Sequence, residues 1–169
     1  IYSDPWNPST RPAITNSSAD TRAVLGGDLY LYGIGRISSG LGGLTLGRID
    51  GYGTLSLESQ GNILVSGSVG AQQPLYGLTS DSGGTTEFAG SLVRTSGAQT
   101  YNDTVLAGPV RFETATQGYD DWWWYGSMGN SPPDITFNGA LRSTGQLEIA
   151  ALGRVQLGAT RTLSSLSVD

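Results

Sequence analysis

One stretch of this chain returns later in it. Gly70-Ala71-Gln72-Gln73-Pro74-Leu75-Tyr76-Gly77-Leu78-Thr79-Ser80-Asp81 is echoed by Gly158-Ala159-Thr160-Arg161-Thr162-Leu163-Ser164-Ser165-Leu166-Ser167-Val168-Asp169, with five of the twelve positions identical. Each copy follows a short alternating segment, Ile63-Leu64-Val65 in one case and Val155-Gln156-Leu157 in the other. Self-similarity at a fixed spacing marks repeat architecture, in which a unit buries its apolar face only against its neighbours. The chain also stops where the second copy stops, so the expectation is a window from a longer repetitive protein.

The rhythm between the copies specifies strands. Leu29 and Leu31 alternate with Tyr30 and Tyr32; Leu44-Thr45-Leu46, Leu55-Ser56-Leu57, Ile135-Thr136-Phe137 and Leu147-Glu148-Ile149 repeat the texture, bounded by Gly or Asn. Alternation with period two is the signature of a strand with one buried face. Strand starts recur every ~8–12 residues, which by itself admits a sandwich, a barrel or a solenoid. No window carries a helical stripe. The long-period self-similarity selects the solenoid: an all-β, right-handed parallel β-helix of ~20–25 residues per turn and roughly six or seven turns. The 26 Gly residues, Gly42-Gly43 and Gly83-Gly84 among them, serve its corners. No helix follows those Gly pairs, so they are not dinucleotide fingerprints.

Two segments break the rhythm. Residues 1–27 carry Asp4-Pro5-Trp6-Asn7-Pro8 and Arg11-Pro12, which oppose regular structure, and read as an irregular segment or an excursion from a preceding repeat. Residues 118–133 have turn residues at both ends and a wholly aromatic centre, so they read as a Trp-rich loop leaving the rungs of 28–117 and returning to those of 134–169. Asp28, Gly33 and Arg36 align with Asp134, Gly139 and Arg142, which would place both excursions at the same corner.

Composition removes much chemistry. All nine basic residues are Arg, and Lys, His and Cys are absent. No Ser-His-Asp or Cys-His nucleophile, Schiff-base Lys, disulfide or His/Cys zinc site can be built. Absence of Cys fits bacterial secretion and the cytosol equally. The net charge of −5 has no basic cluster, which argues against nucleic acid as a partner. No apolar stretch approaches the ~20 residues that would span a membrane, and no signal peptide is visible at Ile1.

Three phrases occur together in one order: Leu78-Thr79-Ser80-Asp81-Ser82-Gly83-Gly84-Thr85-Thr86, then Thr95-Ser96-Gly97-Ala98-Gln99-Thr100-Tyr101-Asn102-Asp103-Thr104-Val105, then Asp134-Ile135-Thr136-Phe137-Asn138-Gly139. Together they resemble the repeat region of large secreted bacterial adhesins of the filamentous-haemagglutinin-like kind, over roughly residues 62–117 and 134–169. The resemblance implies a β-solenoid, export to the cell surface or beyond, a role as a shaft in adhesion or biofilm matrix, and no catalytic residues. The Trp-rich excursion departs from it, since the family's connection there is usually short.

That excursion holds the candidate contact residues. Trp122, Trp123, Trp124 and Tyr125 cannot all enter one core if extended, because successive side chains alternate faces. They either plaster the outside of the solenoid, touch a neighbouring copy in a filament, or stack on a surface glycan, with Asp120 and Asp121 reaching its hydroxyls or a calcium ion. Asp50, Glu58, Asp81, Glu87 and Asp103 are scattered along the chain; a cluster of them would suit a polysaccharide-cleaving β-helix, but solvated or corner-capping roles are the simpler reading. Asn102 is expected to stack at a corner and bond to the backbone of the next turn. The expectation is therefore a secreted, non-enzymatic shaft segment without metal or cofactor, whose partners are further repeats, copies of itself or surface glycans. A self-assembling extracellular filament subunit is the alternative.

Overall fold

A computed structural model of the chain describes residues 13–81, 83–115, 132–158 and 161–169. All the regular structure among them is strand, and every pairing between the strands is parallel. The chain winds into a β-solenoid of about seven turns with three faces per turn.

The register makes the winding explicit. On the first face Ile14, Ile37, Leu57, Ser80, Tyr101, Phe137 and Leu157 lie one above another. On the second, Leu25, Leu46, Val65, Phe88, Ala107, Ser143 and Leu163 do the same. On the third the column is Leu29, Ile49, Val69, Val93, Phe112, Ile149 and Val168. Most of these side chains are buried, and they form one continuous core along the axis. The steps from Ile37 to Leu57, Leu57 to Ser80 and Ser80 to Tyr101 are nearly equal, one short rung each. From Tyr101 to Phe137 the chain takes a much longer path. With segment 118–133 set aside, that step shrinks to the length of an ordinary rung. The Trp-rich segment is thus an insertion into a regular coil.

Aromatic rings from all three faces meet on the axis. Phe88 of the second face lies edge-on to Phe112 of the third at 5.5 Å and to Tyr101 of the first at 5.8 Å, while Phe112 meets Phe137 at 5.3 Å. Such edge-to-face contacts match the positive edge of one ring to the negative face of the next.

Corners are made by Gly. Gly43 has φ of +81°, in the left-handed region, and a Cβ there would sit 2.8 Å from the Asn62 carbonyl oxygen of the following rung. Asn102 stacks at another corner, but the backbone that it bonds belongs to the preceding turn, not the next: its Nδ2 donates to the Ser80 carbonyl at 2.8 Å, and its Oδ1 accepts from Asn138 Nδ2 at 2.8 Å. The ladder reaches back to the preceding turn through backbone and forward to the following one through side chain.

Two sequence correspondences do not map onto the coil. Leu78 lies on the first face between Leu55 and Gln99, whereas its sequence counterpart Leu166 lies on the third face beside Leu147. Likewise Leu29 pairs with Ile49 on the third face, but Ile135 pairs with Gln99 on the first, so Asp28 and Asp134 hold different stations. Neither offset equals a whole number of rungs, and the likeness reports shared strand-and-turn chemistry rather than equivalent places. Two strands, Ala13–Asn16 and Ala23–Leu25, also fall within the stretch expected to be irregular. Past Pro12 no proline interrupts the chain until Pro74, and the first rung forms.

Candidate functional site

Among the described residues, four tyrosines gather on the outer side of the corner between the third and first faces. The strand Leu29–Ser39 passes through this corner without a break, and its alternation turns Leu31 inward and Tyr30, Tyr32 and Ile34 outward. Tyr52, on the strand Ile49–Ser59, stands directly beside Tyr32 in register. Tyr76 sits one rung further, its amide donating to the Gly53 carbonyl at 2.8 Å. Ring centroids are 5.0 Å apart for Tyr30 and Tyr32, 6.3 Å for Tyr32 and Tyr52, and 6.5 Å for Tyr52 and Tyr76. Four phenols on three successive rungs thus form one stripe parallel to the axis. With the whole chain in place, Tyr30 is 38% exposed and Tyr32 47%.

An acidic residue holds this stripe in shape. Asp50 is buried, and its Oδ1 accepts the amides of Gln72 and Gln73 at 2.9 and 3.2 Å, fixing the loop that leads to Tyr76. Its Oδ2 lies 3.0 Å from Arg48 Nε, an ion pair without the alignment of a hydrogen bond, and Arg48 Nη2 reaches Asp28 at 2.7 Å. One guanidinium therefore serves two carboxylates at the foot of the stripe.

The chain leaves the third face for the Trp-rich segment after Thr114 and rejoins the first face after Pro133, two rungs beyond Tyr76. The described ends of that segment are close together: Thr114 Oγ1 donates to the Pro133 carbonyl at 3.2 Å and accepts from the Leu152 amide at 2.8 Å. Trp122, Trp123, Trp124, Tyr125, Asp120 and Asp121 themselves lie outside the described residues. Residues 1–12 also lead into a first-face strand, Ala13–Asn16.

The scattered carboxylates are held by separate partners. Glu58 pairs with Arg36, Glu87 accepts from Asn62 Nδ2 at 3.3 Å, and Asp81 accepts the amides of Ser59 and Gly83 at 3.1 and 3.4 Å. A shallow polar groove of about 350 Å³ opens between Arg36, Glu58, Ser59 and Asp81. Among the described residues no three His, Cys, Asp or Glu stand close enough to hold a metal ion, and no helix is long and apolar enough to cross a membrane.

Asp103 is buried, as Asp50 is. Its Oδ1 accepts from Ser80 Oγ at 2.5 Å and its Oδ2 from Thr86 Oγ1 at 2.6 Å. Burial pushes its carboxyl above the ordinary range, while the two hydroxyls hold it back. Beside it, the Tyr101 hydroxyl donates to Gln99 Oε1 at 2.9 Å, and burial together with the Asp103 charge drives that phenol well up. Gln99 Nε2 completes the cluster, donating to the Glu113 carbonyl at 2.8 Å and to Thr95 Oγ1 at 3.2 Å.

Sequence reasoning finds the aromatic insertion but not the tyrosine stripe. The outward Tyr30 and Tyr32 are legible as the polar half of an alternation; that Tyr52 and Tyr76 stand beside them depends on a register that no local pattern reports. Comparison with protein-family models, curated proteins and solved structures gave no match.

Proposed function

We propose that this chain is a stiff, non-catalytic shaft segment of a large bacterial surface adhesin or matrix protein of the filamentous-haemagglutinin-like kind, exported from the cell. One observation carries the reading. About seven turns stack by parallel pairing over one continuous apolar core, and none of the chemistry-bearing carboxylates among the described residues gathers into a cluster of three. Such a stack is stiff along its axis and rises by about 4.8 Å per turn. The three ordered phrases around Gly83, Tyr101 and Ile135 support the family reading and with it export.

A second reading is a filament subunit in which a rung of another copy joins the stack, since the rungs of this coil associate by parallel backbone pairing and apolar contact. Sedimentation velocity over a wide concentration range separates the two: a strictly monomeric chain supports the shaft, whereas polymers abolished by Leu166→Lys/Val168→Lys support the filament. For the adhesive role, beads coated with the chain are tested for attachment to bacterial and host-cell surfaces; no attachment leaves a shaft without adhesive function. Finding the parent protein only inside the bacterium would overturn export.

A further inference from the structure

We infer that the groove at the corner between the first and second faces, lined by Arg36, Ser38, Glu58, Ser59, Gln60 and Asp81, binds a neutral sugar unit. The inference rests on the side chains of three successive rungs and stands independently of the shaft reading and of export.

Register builds the groove. Ser38 stands beside Glu58 on the outer side of the first face, and Leu57 stands beside Ser80, so Glu58 and Asp81 follow each other up one outer column. Arg36 lies on the same strand as Ser38, with its side chain on the same outer side, and pairs with Glu58. Beyond that column the chain turns the corner at Ser59 and Gln60. The space enclosed is about 350 Å³, at the small end of ligand pockets, which run about 300–1,000 Å³.

One buried atom of this groove is unanswered. Ser59 is 2% exposed, and its Oγ has no hydrogen-bond partner among the described residues. A buried hydroxyl left unpaired is a standing cost to the fold, and a ligand that pairs it removes that cost. The neighbours keep capacity too. Asp81 Oδ1 accepts the amides of Ser59 and Gly83, while nothing among the described residues hydrogen-bonds its Oδ2. Glu58 meets Arg36 through Oε2, which leaves Oε1 to accept. The Gln60 side chain is exposed, and Ser38 Oγ shares a single hydrogen bond with Thr15 Oγ1 at 2.9 Å.

The mixture of groups decides the class of ligand. Every sugar hydroxyl both donates and accepts, and here the donors of Arg36, Ser59 and Gln60 stand among the acceptors of Glu58 and Asp81. An anion would meet two carboxylates against one guanidinium, and an ammonium group would meet that guanidinium. A neutral polyol uses both signs without opposing either. No aromatic ring lines the groove, so recognition is by hydrogen bond rather than by stacking.

The test is a heteronuclear NMR titration of the whole chain with the methyl glycosides of glucose, galactose, mannose and N-acetylglucosamine. Glucosamine and glucuronate supply the cationic and anionic arms. The expected result is saturable binding of at least one neutral glycoside, with amide shifts centred on Ser38, Ser59 and Asp81, and weaker binding of both ions. Ser59→Ala weakens binding about threefold or more and leaves the thermal midpoint at or above that of the parent, because no bond of the fold is lost with the hydroxyl. Arg36→Ala/Glu58→Ala removes an exposed ion pair, at little cost to the fold, and weakens binding about tenfold or more. That second variant decides the matter should Ser59→Ala disturb the fold. Saturation by none of the neutral glycosides overturns the proposal, as does binding unchanged in both variants. Either ion binding as tightly as the best neutral glycoside also overturns it. Shifts confined to residues 118–133 assign recognition to the Trp-rich segment and equally overturn it.

Discussion

Tyr101 lies flat on Phe137 of the next rung, with ring centroids 4.7 Å apart and planes 16° from parallel. The pair spans the one step of the coil that carries an insertion. It therefore does on the axis what an unbroken chain does elsewhere, tying the rungs before residue 116 to those after residue 131. We expect Phe137→Ala to cost about 3–5 kcal/mol, because a fully buried ring is removed and the neighbours around it are fixed by the rungs above and below. Tyr101→Phe keeps the stacking and leaves Gln99 Oε1 buried without its donor, for a loss of about 1–3 kcal/mol. Urea unfolding of both variants measures the difference. Equal losses would mean that the hydroxyl, not the stacking, ties the two halves.

Asp103 gives the solenoid a pH dependence of unusual sign. Its folded pKa is raised above the ordinary 3.8 by burial, despite the hydroxyls of Ser80 and Thr86. A carboxyl that is harder to ionise in the folded state binds more protons there than in the unfolded chain, so its contribution is fully present below pH 3.8 and is lost as pH rises through the raised value. Measured against Asp103→Asn, which does not titrate, the parent should lose relative stability as pH climbs from 3.8 towards neutrality. Urea midpoints of the two proteins at a series of pH values give the difference directly, and a gap constant across the series would remove Asp103 as the cause.

Gly43 should not tolerate a side chain. Its φ of +81° costs an L-residue about 1–2 kcal/mol. The added Cβ would stand 2.8 Å from the Asn62 carbonyl oxygen, a backbone atom with little room to give. Gly43→Ala is expected to lower the thermal midpoint by several degrees, about what a loss of that size produces in a domain of this length. The same substitution at Gly26, where nothing lies within 4 Å of the added atom and φ is not in the left-handed region, is the control and should leave the midpoint nearly unchanged.

The Trp-rich insertion should be removable without loss of the coil. Replacing residues 116–131 by a single Gly keeps Thr114 and Pro133 and the bond between them. It also brings the rung close to the corner Ser96-Gly97-Ala98 one turn earlier, a short connection between the same two faces. Shortening a loop changes closure entropy slowly, so stability is expected to stay within about 1 kcal/mol of the parent. Far-UV dichroism and the thermal midpoint report this, and collapse of the fold would show that the insertion covers core.

The coil itself is legible in the sequence because its grammar is local. Leu44-Thr45-Leu46 and Ile135-Thr136-Phe137 each announce which residues face inward, and Gly43 announces a corner. Carried over longer distances, sequence likeness loses the phase. Gly70–Asp81 runs from the third face to the first and Gly158–Asp169 from the second to the third, because similar strand-turn units serve all three faces. Lateral neighbours stay hidden for the converse reason. Tyr52 and Tyr76 are distant along the chain but one rung apart in space, and Gln99, Thr95 and Glu113 meet across faces only after the winding is fixed. The aromatic insertion is visible as a break in the rhythm, yet its six candidate contact residues fall outside the described residues.

A stack of near-identical rungs has the weakness of a ruler without numerals, since sliding one strand by a whole turn would still set leucine against valine. Burying Asp103 among Ser80 and Thr86, and Gln99 among Tyr101 and Thr95, engraves a mark on that ruler. A slip by one rung would confront the carboxylate with Leu57 and Ile63 in place of Ser80 and Thr86 and leave it dry and unanswered, an error far dearer than a misplaced methyl group. The polar cluster in the core thus acts as an index: it lets a monotonous coil be counted correctly while it winds.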